Sequence, residues 1–134
     1  MGTAGQPNES QFPVIKNAGY QVVVNLAMPD SNQAVANERD LVASQGMEYV
    51  HIPVLWDNPE VEDAQRFFET MQANTEKKVF VHCIANMRVS AFMYLYRIIY
   101  EKMSEEEASK DLHRLWVPNE TWQKFIQNVL RRHR

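Results

Sequence analysis

An α/β fold with a small, mainly parallel sheet and helices on both faces follows from three features of the sequence. Short runs rich in β-branched residues alternate with longer amphipathic runs in the order strand, helix, strand, helix, strand. Two of the three β-rich runs are nearly continuous in apolar residues, as strands covered on both faces are. The chain then turns wholly helical, which supplies the layers that cover such a sheet. At 134 residues, with no repeat, linker or low-complexity tract, residues 1–134 are expected to form one domain.

The elements can be justified in order. Tyr20 to Leu26 (YQVVVNL) predicts the first strand. Ser31 to Gln45 carries Val35, Leu41 and Val42 at helical spacing and stops at Gly46, a residue suited to a helix C-terminus. Met47 to Val54 (MEYVHIPV) predicts the second strand. Val61 to Asn74 follows Pro59 and places Ala64, Phe67, Phe68 and Met71 on one stripe. Lys78 to Cys83 (KVFVHC) predicts the third strand. Val89 to Met103 is apolar around most of its circumference, which predicts a buried helix. Ser104 heads S-E-E-E, an N-cap with acids in the first turn, and opens a helix to about Leu115. Pro118 breaks it. Asn119 to Arg132 then forms a last helix through Trp122, Phe125, Ile126, Val129 and Leu130. Trp116 and Trp122 read as closing the core, and Met71, Met93 and Met103 fall on buried stripes.

The bulk numbers narrow the classes of partner. A net charge of −3 gives no global field for nucleic acid, and the basic end Arg131-Arg132-His133-Arg134 reads as a solvated terminus. No apolar run approaches the roughly 18 residues of a membrane span, so no membrane partner is expected. The single cysteine excludes an internal disulfide and suits a reducing compartment. A cytoplasmic location is therefore expected, or a periplasmic one if a leader has been removed. Nothing in the residues sets an oligomeric state.

That cysteine stands in VHCIANMRVSAF, residues 81–92, between the third strand and the buried helix. Ligands of an open parallel sheet bind beyond the carboxyl ends of its strands. Ile84, Ala85, Asn86 and Met87 must turn the chain there, with backbone N–H groups facing a concavity and a helix N-terminus behind them, an anion-binding arrangement. The same positive potential favours a thiolate, the reactive form of Cys83. Arg88 adds a planar fork of donors matched to two oxygens of a tetrahedral anion. Asn86 is a residue that tolerates a left-handed turn. No His/Cys/Asp cluster has metal-ligand spacing, so neither a metal nor another cofactor is expected.

The segment resembles the active-site loop of cysteine-dependent protein tyrosine and dual-specificity phosphatases, which reads His-Cys, five residues, Arg, then Ser or Thr. The whole chain is similar to the bacterial phosphatase-like domain found fused ahead of beta-lactamase-like hydrolases. The marks are the A-G-Q-P opening (Ala4 to Pro7), the G-Y-x-x-V-x-N-L strand (Gly19 to Leu26), the H-I-P-V strand (His51 to Val54) and His82-Cys83 with a nearby arginine. Two positions depart from the pattern. Ala27 stands where the family usually has arginine, and four residues, not five, separate Cys83 from Arg88. Either the loop is one residue tighter, as in rhodanese-type sulfurtransferases, or it keeps its length and the arginine enters one helical position early.

The resemblance implies a cysteine-phosphatase-like fold and the hydrolysis of phosphate monoesters on a protein or a small molecule. It implies Cys83 as nucleophile, Arg88 and the N–H groups of residues 84–88 as the phosphate site, and His82 as a support packed behind the loop. Ser90 either donates to the sulfur or caps the helix. The acid that protonates the leaving oxygen would sit on the loop after the H-I-P-V strand, where Asp57 is the first choice, with Trp56 and Pro59 as packing and hinge elements. Asp63 reads as a first-turn acid and Asp30 as a helix-leading one, although either could reach the cleft. Two other readings share the cysteine loop: sulfur transfer through a Cys83 persulfide, which needs no Asp57, and a non-catalytic module that binds phosphorylated ligands.

Overall fold

The three expected strands pair in parallel, and a fourth joins them at the edge. The computed structural model describes residues 2–28, 35, 37–83 and 85–133. Its strands are β1 (Gly2–Ala4), β2 (Val22–Asn25), β3 (Glu48–His51) and β4 (Val79–His82). They form one sheet in the order β1-β4-β2-β3, with every pairing parallel. Val24 of β2 lies beside Val50 of β3 on one side and Val81 of β4 on the other. All four β2 residues are buried, as the apolar run required of a central strand.

The pleat sends alternate residues to opposite faces. Val22, Val24, Val79, Val81 and Cys83 belong to the larger core, under α3 (Val61–Ala73), α4 (Met87–Ile99) and α6 (Glu120–Arg132). Val23 and Phe80 belong to a smaller core under α1 (Phe12–Asn17) and α2 (Glu38–Ser44). His82 follows Phe80 onto this second face, with ring centroids 6.3 Å apart. The histidine and the cysteine next to it therefore serve opposite faces of the sheet.

The helices keep their signals. Gly46 has φ +77°, the left-handed value that closes α2, and its N–H bonds the Ala43 carbonyl. α3 opens with a reciprocal cap in which Asp63 accepts from the Glu60 N–H. Ser104 caps α5 (Glu105–His113), and Asn119 caps α6. The helix expected over 31–45 has Glu38–Ser44 as its described part, and Ser31 and Asp30 lie outside the described residues. The helix expected from Val89 to Met103 runs from Met87 to Ile99. Lys102 there takes φ 58° and the Met103 N–H bonds Arg97 O, which turns the chain out early. Met71 and Met93 are buried as expected, and Met103 is half-buried.

Trp122 holds the helical layer together. It is fully buried and its ring meets Phe92, Phe125, Trp56 and Trp116. Trp122→Ala is expected to cost about 3–5 kcal/mol of folding stability, the usual loss for a buried aromatic. A urea titration reads it directly, and an unchanged midpoint would contradict this packing.

Candidate active site

Cys83 follows directly on β4, and α4 begins at Met87. Asn86 makes the turn between them at φ 65°, as the left-handed N-cap residue of α4. The position admits an asparagine more readily than most residues, because a short polar side chain tolerates that conformation. The four-residue connection still delivers Arg88 to the cysteine: Cys83, Ala85, Met87, Arg88 and Trp56 line one cavity of about 170 Å³. The next residue, Val89, is fully buried in the core, so the helix phase turns position 88 to the cavity and position 89 inward. Ile84 lies outside the described residues.

Cys83 is 1% exposed, at the inner wall of this cavity. Arg88 lines the same cavity with an unusual polar balance. Among the described residues its Nε is buried with no hydrogen-bond partner, and its guanidinium has no carboxylate partner. Its guanidinium carbon lies 5.6 Å from the centre of the Trp56 ring, within cation–π range. A buried donor without an acceptor costs free energy, which an anion would recover. With the N-terminus of the 13-residue α4 at the same point, the wall of the cavity is electropositive.

Trp56 reaches the cavity from the segment after β3. Its ring packs against Trp116 at 5.2 Å and Trp122 at 5.5 Å, and the Trp122 indole donates to the Trp56 carbonyl at 2.9 Å. Trp116 and Trp122 do close the core, and they also back one wall of the site, which their helical spacing does not reveal. Asp57 is the next residue, exposed on the turn that the Asn58 N–H closes onto Leu55 O. Its carboxylate makes no hydrogen bond or ion pair among the described residues. Ser90 is committed: its hydroxyl donates to Met87 O at 2.6 Å and accepts the Trp116 indole N–H at 2.9 Å.

Behind the loop lies a polar cluster of which sequence reasoning singled out His82, as a support packed there, but not Glu38, Gln6, Tyr49 or Asn25. His82 is fully buried, with Nε2 2.7 Å from Glu38 Oε2 and Nδ1 3.3 Å from the Cys83 carbonyl. Glu38, 4% exposed, also accepts from Gln6 Nε2 at 2.8 Å. Tyr49 faces the same carboxylate, and its hydroxyl accepts from Asn25 Nδ2 at 3.0 Å. Burial pushes the Tyr49 hydroxyl up to about 12, so it stays protonated. Asn25 in turn accepts the Ala27 N–H at 2.9 Å, and His51 Nε2 meets Ala27 O at 2.7 Å. Ala27 itself is buried and brings no charge to the site.

A parallel sheet carrying a cysteine loop at the carboxyl end of an inner strand, followed by a buried helix with an arginine in its first turn, defines the cysteine-phosphatase class of fold. The chain belongs to the family described as "DSP-PTPase phosphatase fused to NAD+ Kinase", whose model matches residues 2–128. Among solved structures it is similar to a DUF442 phosphatase-like protein of Shewanella putrefaciens CN-32, with 39% identity over 98% of this chain and 86% of that one and a TM-score of 0.87. It shares its fold with kinase associated phosphatase, at 14% identity, 97% and 85% coverage and a TM-score of 0.84. The P. aeruginosa protein TpbA, solved with pTyr, has 15% identity, 94% and 83% coverage and a TM-score of 0.67. No curated protein sequence matches the chain.

Proposed function

We propose that this protein hydrolyses phosphate monoesters through a cysteinyl-phosphate intermediate. The observation that carries the reading is the buried, unpartnered Arg88 Nε beside Cys83 in one small cavity. A planar fork of donors over a thiolate fits the equatorial oxygens of a phosphoryl group, where charge gathers in the transition state. In the first step the Cys83 sulfur bonds to phosphorus as the ester oxygen leaves, and Asp57 gives that oxygen its proton. In the second, water bonds to phosphorus and passes a proton to Asp57, the S–P bond breaks, and phosphate and thiolate are restored. Arg88 and the N–H groups of residues 84–88 hold the oxygens throughout, and Ser90 braces the start of α4 through Met87.

The cavity of about 170 Å³ is smaller than the few hundred Å³ usual for whole-ligand pockets, so it suits a phosphoryl head group with the rest of the substrate outside. That fits a phosphorylated protein or a phosphorylated small molecule. TpbA was solved with pTyr, which makes an aryl phosphate the natural first substrate to try.

The four-residue spacing also occurs in sulfurtransferases, so the decisive assay runs two substrates side by side. An aryl phosphate is expected to release phenol and inorganic phosphate. Thiosulfate with cyanide is expected to give no thiocyanate. Thiocyanate formation without phosphate release would replace this reading with persulfide chemistry at Cys83.

A further inference from the structure

β1 is an outer strand of the sheet, and among the described residues no strand pairs with its free edge. Ala4 turns its carbonyl inward, where it accepts the Cys83 N–H. Successive residues of a strand aim their backbone groups at opposite sides, so Thr3 turns its N–H and carbonyl outward. Thr3 is exposed, and no charge or proline in Gly2–Ala4 discourages a further strand there.

This edge has a cavity on each face. Ala4, with Gln6, Pro7, Val14, Ile15 and Phe80, lines one of about 410 Å³ on the α1 side. Thr3, with Asn86, Met93, Arg97, Asp111 and Arg114, lines one of about 340 Å³ on the α4 side. Each contains a residue whose side-chain oxygen lacks a donor. Gln6 spends its amide hydrogens on Pro7 O at 3.0 Å and Glu38 Oε1 at 2.8 Å, which leaves its Oε1 buried and unpartnered. Asn86 Oδ1 is buried and unpartnered too. Such acceptors cost free energy that an incoming N–H or hydroxyl recovers.

The two cavities differ in chemistry. The first is walled mainly by apolar side chains, and its Val14 is left exposed. In the second, Arg97 and Arg114 share one carboxylate, Asp111, at 3.0 and 3.5 Å. Its lining therefore carries one positive charge in excess.

We propose that the β1 edge is a docking site for an extended segment of a partner protein, which pairs with Thr3, seats an apolar side chain in the α1-side cavity and sets an acidic one, from the adjacent residue, against Arg97 and Arg114. An added strand sends neighbouring side chains to opposite faces, so one dipeptide reaches both cavities. A three-residue strand offers few backbone bonds, and the cavities supply the selectivity. This site stands apart from the reaction at Cys83.

The probe is a phage-displayed library of random octapeptides selected on the whole chain. The selected sequences are expected to share a large apolar residue next to Asp or Glu. The consensus peptide, titrated by fluorescence polarisation, should bind Arg114→Glu about tenfold more weakly, and regain affinity when its acid is changed to Lys. The Arg114 side chain is 79% exposed, so the fold should tolerate the change. Thr3→Pro removes the outward N–H but leaves the bonds to β4, a place where edge strands accept proline. It should weaken binding roughly 3–10-fold, the worth of one hydrogen bond, while Thr3→Val should not. Urea midpoints near the parent's establish that the variants fold. No selected sequence, a consensus without the apolar–acidic pair, or undiminished binding by either folded variant would overturn the proposal. So would dimerisation in sedimentation that the peptide displaces, since it would put a second copy of this chain on the edge.

Discussion

Cys83→Ser is expected to reduce aryl-phosphate turnover to background while the protein stays folded. Serine is close in shape to cysteine, so the buried position is not disrupted. Its hydroxyl keeps its proton at neutral pH, however, and no base among the described residues lines the cavity to remove it. The anion site should survive. Arg88, Asn86 and the start of α4 are untouched, so inorganic phosphate should still protect the protein against thermal unfolding, by mass action on the folded state. Substantial turnover by the folded variant would remove both phosphatase and persulfide chemistry at this position. Lost turnover together with lost phosphate binding would place the defect in the loop and not in the nucleophile.

Asp57→Asn is expected to slow alkyl phosphates by about 10²–10⁴, the usual worth of general acid catalysis. An alkyl leaving oxygen departs poorly without a proton. An activated aryl ester needs less help and should lose less in the first step. The amide preserves the shape of the exposed turn beside Trp56, so folding should be unaffected. This contrast in leaving groups is the useful readout, because a purely structural lesion would slow all substrates alike. Equal, negligible effects on every phosphate ester would show that another group supplies the proton.

Much of this was legible in the residues. The β-branched runs around Val22–Asn25 and Val79–His82 have no competing helical reading, and β2 and β4 formed inside them. β1 was not legible: Gly-Thr-Ala is three residues with little β preference, and it becomes a strand only by pairing with β4. α1, six residues with a proline in its first turn, is too short to show a period. The end of α4 was misplaced because a lysine, not a glycine or proline, takes the left-handed turn at Lys102. At the site, Cys83 and Arg88 announce themselves by spacing. Glu38 does not, since an acid within an amphipathic helix reads as part of its solvent-facing side. Only the sheet order, which sets α2 over the face that carries His82, turns it inward.

The central claim is a covalent cysteinyl-phosphate, and its most direct test uses Asp57→Asn with an aryl phosphate. The good leaving group lets the first step proceed, while loss of the aspartate slows the hydrolysis that follows, so the intermediate should accumulate. Acid quenching and peptide mapping are expected to find one phosphoryl group per chain, on the peptide that holds Cys83. Turnover with no covalent phosphoryl group, or with the group on another residue, would contradict the account.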